Sequence, residues 1–288
     1  MGLSAAESGC PVFLLGVGRC GSTFWQSLLC RADGLWIWGE HEAILRPILG
    51  TRQTIARSLD FPGPETPPMS LAEIERALPA NGNAIAWNNG FRAEDLDAEL
   101  RGLVDGLMRR RLPPGKTRWG FKEIRYGNSL PERPDPTAHN LLTLFPQSHV
   151  VLTLRHPRPT IASSVRSFWA QDVAAAGTAP DRLRDRYGHM AHRWRRATEE
   201  LLDLADEHGD RVVRVMIEDV PAGRSALAAA LGVCLPEEHP VVNAHLRVED
   251  PSPMIDEIFR DMWHSWRPRL AATMQRAGYD GAAAERTR

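Results

Sequence analysis

The chain has 288 residues and a formal net charge of −1, which argues against a broadly basic nucleic-acid binder or a protein drawn by charge to anionic membranes. Hydrophobic residues make up 43% and charged residues 25%, the balance of a globular protein with a sizeable core. The four cysteines, Cys10, Cys20, Cys30 and Cys234, show no C-x-x-C pairing and no accompanying histidine pair, so neither a disulfide framework nor a metal site is expected. No run approaches the roughly 18 apolar residues of a membrane helix. The segment MGLSAAESGC lacks a basic region and carries Glu7, so no signal peptide and a cytoplasmic location are expected.

Residues 11–30 open as a short apolar run, PVFLL, within the expected strand 11–17, pass through a glycine loop, GVGRCGST, and resume as an amphipathic helix. That order of strand, loop and helix is how α/β proteins hold a phosphate. The loop has the length of a Walker A motif, but Ser22 stands where the lysine should be, and the basic residue is Arg19. A nucleotide triphosphatase needs that lysine for its β- and γ-phosphates. The loop therefore indicates phosphate and argues against ATP.

A second apolar run, 34–38, ends just before Glu40, His41 and Glu42. From 60 to 115 the sequence is first rich in proline and then helical in pattern over 70–78 and 93–111. The next run, 118–122, ends on Lys122, with Glu123 and Arg125 behind it. The run 149–154 is followed by Arg155, then Pro157 and Pro159, and a helix is expected from near Thr160 with Ser163 in its first turn or so. An arginine at a strand's carboxyl end can fork onto a phosphate, and a hydroxyl near a helix start can donate to it.

Leu183, Tyr187, Met190, Trp194, Ala197, Leu201 and Leu204 recur at helical spacing, predicting one long amphipathic helix packed on the sheet. The same stripe leaves a homodimer seam open. The last strand, 211–217, leads into Glu218 and Asp219, which could pass for a Walker B pair but read better as structural. A final helical run from Ile255 to Trp266 meets Pro268, which is expected to interrupt it, and the tail GAAAERTR is expected to fray. Five apolar runs between helical segments predict an α/β fold with a parallel sheet of about five strands covered by helices on both faces. A single domain is expected, with a mostly helical excursion at about 40–115.

The loop GVGRCGSTFWQSLL resembles the 5′-phosphosulfate loop of sulfotransferases that use 3′-phosphoadenosine-5′-phosphosulfate (PAPS). The segment HVVLTLRHPRPTIASSV is similar to that family's 3′-phosphate site. The resemblance implies the P-loop-like sulfotransferase fold of a bacterial-type, soluble branch, with PAPS as donor, 3′,5′-adenosine bisphosphate as leaving product, and no metal. It implies that Gly18, Arg19, Cys20, Gly21, Ser22 and Thr23 surround the 5′-phosphosulfate. Arg155 and Ser163 would hold the 3′-phosphate, and Lys122 would reach the sulfuryl region.

The histidine base of the cytosolic small-molecule enzymes is missing, because Ile124 stands in its place. Some bacterial carbohydrate sulfotransferases have a catalytic glutamate after the second strand, so Glu40 is the first candidate for general base and His41 the second. The acceptor would be a hydroxyl on a small molecule or carbohydrate, with neither nucleic acid nor membrane as partner. Two other readings are a P-loop kinase-like phosphotransferase with a displaced lysine, and a non-catalytic adenosine-bisphosphate-binding module.

Overall fold

The computed structural model describes residues 10–56, 69–73, 75–76, 93–126, 137–172, 180–238 and 253–279. The tail from 281 and the proline-rich 60–68 lie outside the described residues. The expected helix at 70–78 is described only at 70–73 and 75–76, and is helical at 71–73 and 75–76.

The strands are β1 (Val12–Gly16), β2 (Leu35–Trp38), β3 (Arg118–Glu123), β4 (His149–Leu154) and β5 (Val212–Met216). They form one five-stranded sheet in the order β2-β3-β1-β4-β5, and every pairing is parallel. All five apolar runs therefore form strands; β1 is buried throughout, as its continuous hydrophobicity predicts, whereas β5 carries exposed Arg214. The helices are α1 (Ser22–Cys30), α2 (Leu45–Ala56), α3 (Ala93–Arg109), α4 (Thr137–Leu144), α5 (Pro157–Asp172), α6 (Pro180–His208), α7 (Val220–Leu231) and α8 (Pro253–Arg276).

Side chains alternate across each strand. Val12 and Leu14 of β1, Val151 of β4 and Val215 of β5 pack with Trp25, Leu28 and Leu29 of α1 and with Leu227 and Leu231 of α7. On the other side, α6 runs against β1, β4 and β5, and its buried stripe from Leu183 to Leu204 matches the predicted one. Beyond the sheet α6 packs on α8, where Tyr187, Met190 and Trp194 meet Phe259, Trp263 and Trp266. Each fully buried side chain of this kind contributes roughly 1.5–3 kcal/mol, so these two clusters hold the layers together.

Two local expectations are corrected. Helix α5 begins at Pro157 instead of Thr160, because Pro157 and Pro159 both fall among its first residues, whose N–H groups have no intrahelical acceptor to lose. His156 Nδ1 accepts the N–H of Arg158 at 3.3 Å and caps that end. Ser163 consequently lies in the second turn. Helix α8 runs through Pro268 without a break, since buried Ile258, Phe259, Trp263 and Trp266 before it and Leu270 and Met274 after it fix both halves in one cluster.

The chain divides into two compact units. The sheet with α1 and α5–α8 belongs to Met1–Glu42, Leu112–Asp135 and Gln147–Arg288; the other unit is Ala43–Arg111 with Pro136–Pro146. In this second unit α2, α3 and α4 pack together around Leu45, Leu49, Leu100, Val104, Leu141 and Leu142. Arg52 Nη2 donates to Asp97 Oδ2 at 3.0 Å, joining α2 to α3. No helix among the described residues is long and apolar enough to cross a membrane.

Candidate active site

In an open parallel sheet, ligands bind beyond the carboxyl ends of the strands, where the strand order reverses. Here that point is β1, whose neighbours β3 and β4 lead away to opposite edges. The loop 17–21 leaves β1 there, and Glu40, Lys122 and Arg155 stand at or just beyond the carboxyl ends of β2, β3 and β4. All of these residues lie within the first unit.

The loop is fastened from below. Cys20 is fully buried and its Sγ lies 2.8 Å from Thr153 Oγ1. The Thr153 hydroxyl spends its one hydrogen on the carbonyl of Leu15 at 3.0 Å, so the Cys20 thiol is the donor. Burial pushes that thiol's pKa up and keeps it protonated. Arg19 has φ 69° and Gly21 φ 87°; at Gly21 a Cβ would also stand 2.8 Å from Ile217. Gly21 is the N-cap residue of α1 and offers no side chain to its first N–H groups. Those groups and the adjoining hydroxyls of Ser22 (buried) and Thr23 (half-buried) make an anion-directed helix start.

Three cationic side chains frame this loop. Arg19 Nε donates to Ser163 Oγ at 3.0 Å, and Arg155 Nη1 donates to the carbonyl of Arg19 at 3.1 Å. The residues assigned to separate phosphates, Arg19 on one hand and Arg155 with Ser163 on the other, thus form one connected group. Lys122, only 8% exposed, extends Nζ to Thr23 Oγ1 at 3.2 Å and to Glu40 Oε1 at 2.8 Å.

Glu40 is held at both oxygens, since Arg125 Nη1 lies 3.0 Å from Oε2. The same Arg125 nitrogen is 2.9 Å from Oε1 of Glu123, a carboxylate with no exposure at all. Glu123 also accepts the N–H groups of Ile124 and Arg125 at 2.9 and 3.2 Å. This Glu123–Arg125 pair orients the strand end that carries Lys122.

His41 is turned away from this line. Its ring stacks edge-on to Phe121 at 4.7 Å and near Tyr126 at 5.8 Å, with Nδ1 3.6 Å from Glu123. Burial lowers its pKa despite that carboxylate, and neither ring nitrogen makes a hydrogen bond among the described residues.

The acidic pair after β5 is occupied by the fold. Glu218 accepts the backbone N–H of His156 at 2.8 Å and the Tyr279 hydroxyl at 3.3 Å. Asp219 caps α7 by accepting the Ala222 N–H at 3.1 Å. Glu218 therefore braces the turn that presents Arg155, the structural reading the sequence favours.

A family model described as the sulfotransferase family matches residues 11–231, which spans the loop, all five strands and the Arg155–Ser163 turn. The chain belongs to the sulfotransferase family. Among solved structures, the sulfotransferase domain from the curacin biosynthetic pathway is similar at 18% identity and TM-score 0.53, over 94% of this chain and 98% of that one. Sulfotransferase STF9 from Mycobacterium avium is similar at 11% identity and TM-score 0.45, over 93% and 77%. No curated protein matches the chain. The first likeness supports the P-loop-like sulfotransferase fold.

Sequence reasoning about this sulfotransferase missed Arg193 and underrated Ile124. Both line a cavity of about 210 Å³ beside Gly18 and Arg19. Arg193 sits one place before Trp194, on a helix read for its apolar stripe.

Proposed function

We propose that this sulfotransferase moves a sulfuryl group from PAPS to a hydroxyl of a small-molecule or carbohydrate acceptor. The observation that carries the reading is the chain from Glu40 through Lys122 to Thr23, which links a candidate base to the phosphate loop through one buried cation. The donor set fits PAPS: uncapped N–H groups at the start of α1 and the hydroxyls of Ser22 and Thr23 suit a 5′-phosphosulfate. Arg155 and Ser163, joined through Arg19, suit a second phosphate on the same side of the sheet. Bound PAPS would supply an activated sulfuryl group on one phosphate and a 3′-phosphate as a handle.

Sulfuryl transfer resembles phosphoryl transfer in asking the protein for alignment and charge stabilisation more than covalent chemistry. Glu40 takes the proton of the acceptor hydroxyl. Lys122 and Arg19 hold the negative charge that collects on the leaving 5′-phosphate. Arg125, anchored on buried Glu123, fixes the Glu40 carboxylate so that one oxygen faces Lys122. His41 acts as a packing residue behind this line.

The test is calorimetric titration with 3′,5′-adenosine bisphosphate, and with ATP plus Mg²⁺. The bisphosphate is expected to bind and ATP to bind poorly. Arg155→Ala should weaken the bisphosphate by about 10–100-fold, the value of one charge-assisted hydrogen bond. Preferential binding of Mg²⁺-ATP would overturn the reading.

A further inference from the structure

Helix α6 carries several arginines on its outer faces, among them Arg184, 3.1 Å from Asp181, and Arg195, 3.9 Å from Glu199. Arg193 differs. It is half-buried, it lines the cavity beside the phosphate loop, and among the described residues no carboxylate comes within ion-pair distance of it. Burial, and to a lesser degree the charge of Arg125, press its pKa down. Keeping a charge half out of water with no carboxylate partner among the described residues costs free energy that a bound anion would recover.

The rest of the cavity narrows the choice of anion. Its walls are largely apolar, with Val17, Ile124, Ile161, Met190 and Trp194. Two of its hydroxyls are committed to α5 itself: Thr160 donates to the carbonyl of His156 at 2.9 Å and Ser164 to that of Thr160 at 2.9 Å. At about 210 Å³ it falls below the ~300–1,000 Å³ of pockets that enclose a whole drug-sized ligand, so it suits the end of a molecule and not an entire nucleotide. The donor's phosphates already have the α1 start, Lys122, Arg155 and Ser163. Arg125 bridges the two regions, being bonded to Glu40 while close enough to disfavour charge on Arg193.

We propose that Arg193 is a specificity-determining residue that pairs with a carboxylate on the acceptor, whose adjoining apolar carbons fill this cavity. The acceptor class is then a hydroxylated carboxylic acid with an apolar body. This rests on the sulfuryl-transfer reading, in which Glu40 serves the acceptor hydroxyl.

The probe is phenylacetate, with phenylacetamide as its uncharged match, titrated into the full-length protein with and without saturating 3′,5′-adenosine bisphosphate. Wild type should bind phenylacetate at least about tenfold more tightly than the amide. Arg193→Gln should abolish that preference, and Arg193→Lys should keep part of it. The bisphosphate should bind all three proteins alike, which also establishes that the variants are folded. The proposal fails if wild type binds no phenylacetate up to about 10 mM, or if Arg193→Gln retains the preference. A roughly tenfold loss of bisphosphate affinity in Arg193→Gln would instead assign Arg193 to the donor and overturn the proposal. If wild type binds phenylacetate selectively but not the bisphosphate, the donor reading falls while the anion role of Arg193 stands.

Discussion

Glu40 depends on neighbours that the sequence places far away. Its two oxygens meet Lys122 and Arg125, and Arg125 is itself anchored by the buried carboxylate of Glu123. Glu40→Gln keeps the size and one of the two accepting oxygens but removes the base, so turnover should fall by about 10²–10⁴-fold. Bisphosphate affinity should stay nearly unchanged, and calorimetry beside initial rates would separate the two effects. Full activity in Glu40→Gln would move the base elsewhere. His156 supplies a second test at this scale. Packed between Trp263 and Tyr279, it has its pKa lowered by burial from 6.5 to about 4, with Arg158 and Arg267 adding to the effect. Between those values the unfolded chain binds a proton that the folded one refuses, so stability is lost as pH falls through this window. The loss is at most ~1.4 kcal/mol per pH unit. His156→Asn keeps an acceptor for the Arg158 N–H and should flatten the dependence of the denaturation midpoint on pH between 6.5 and 4. An unchanged slope would place the proton uptake on another group.

Strands and helices were unequally legible. The strands β1 to β5 stood out because a parallel sheet covered on both faces favours short apolar runs, cleanest in β1 and broken in β5 by exposed Arg214. Helix ends were harder. Pro157, Pro159 and Pro268 all read as breaks, yet the first two occupy positions where a missing N–H is harmless and the third is overridden by packing. Proline reports a local cost, and only tertiary contacts say whether that cost is outweighed. Pro268 is exposed within α8, so Pro268→Ala restores a backbone hydrogen bond to His264 without opening a cavity. It should raise stability by about 1–3 kcal/mol, read as a higher midpoint in urea. A lower midpoint would mean that the proline's shape is needed by the packing.

Across the whole molecule the strand order β2-β3-β1-β4-β5 gathers the ends of β1 to β4 at one crevice. Arg19 and Ser163 meet although 144 positions apart, and Glu40 and Arg125 although 85 apart. A ligand that engages several of these ends should stabilise the fold by linkage, by ~2.7 kcal/mol at a hundredfold excess over its Kd. For 3′,5′-adenosine bisphosphate the expected rise in Tm is about 5 °C. AMP at the same concentration, lacking the 3′-phosphate, should give far less; an equal rise would mean that Arg155 and Ser163 hold no phosphate.

The sequence by itself determined the glycine loop after β1, the five strands and which candidate residues stand at the strand ends. These are local matters: apolar runs, a glycine at a turn, a basic residue at a strand end. Only the tertiary structure decided that Glu40 faces Lys122 while His41 packs on Phe121, that Arg19 reaches Ser163, and that Arg193 stands without a carboxylate partner among the described residues. The direction of a side chain and the pairing of a charge depend on elements brought together by the sheet order, which no local pattern records.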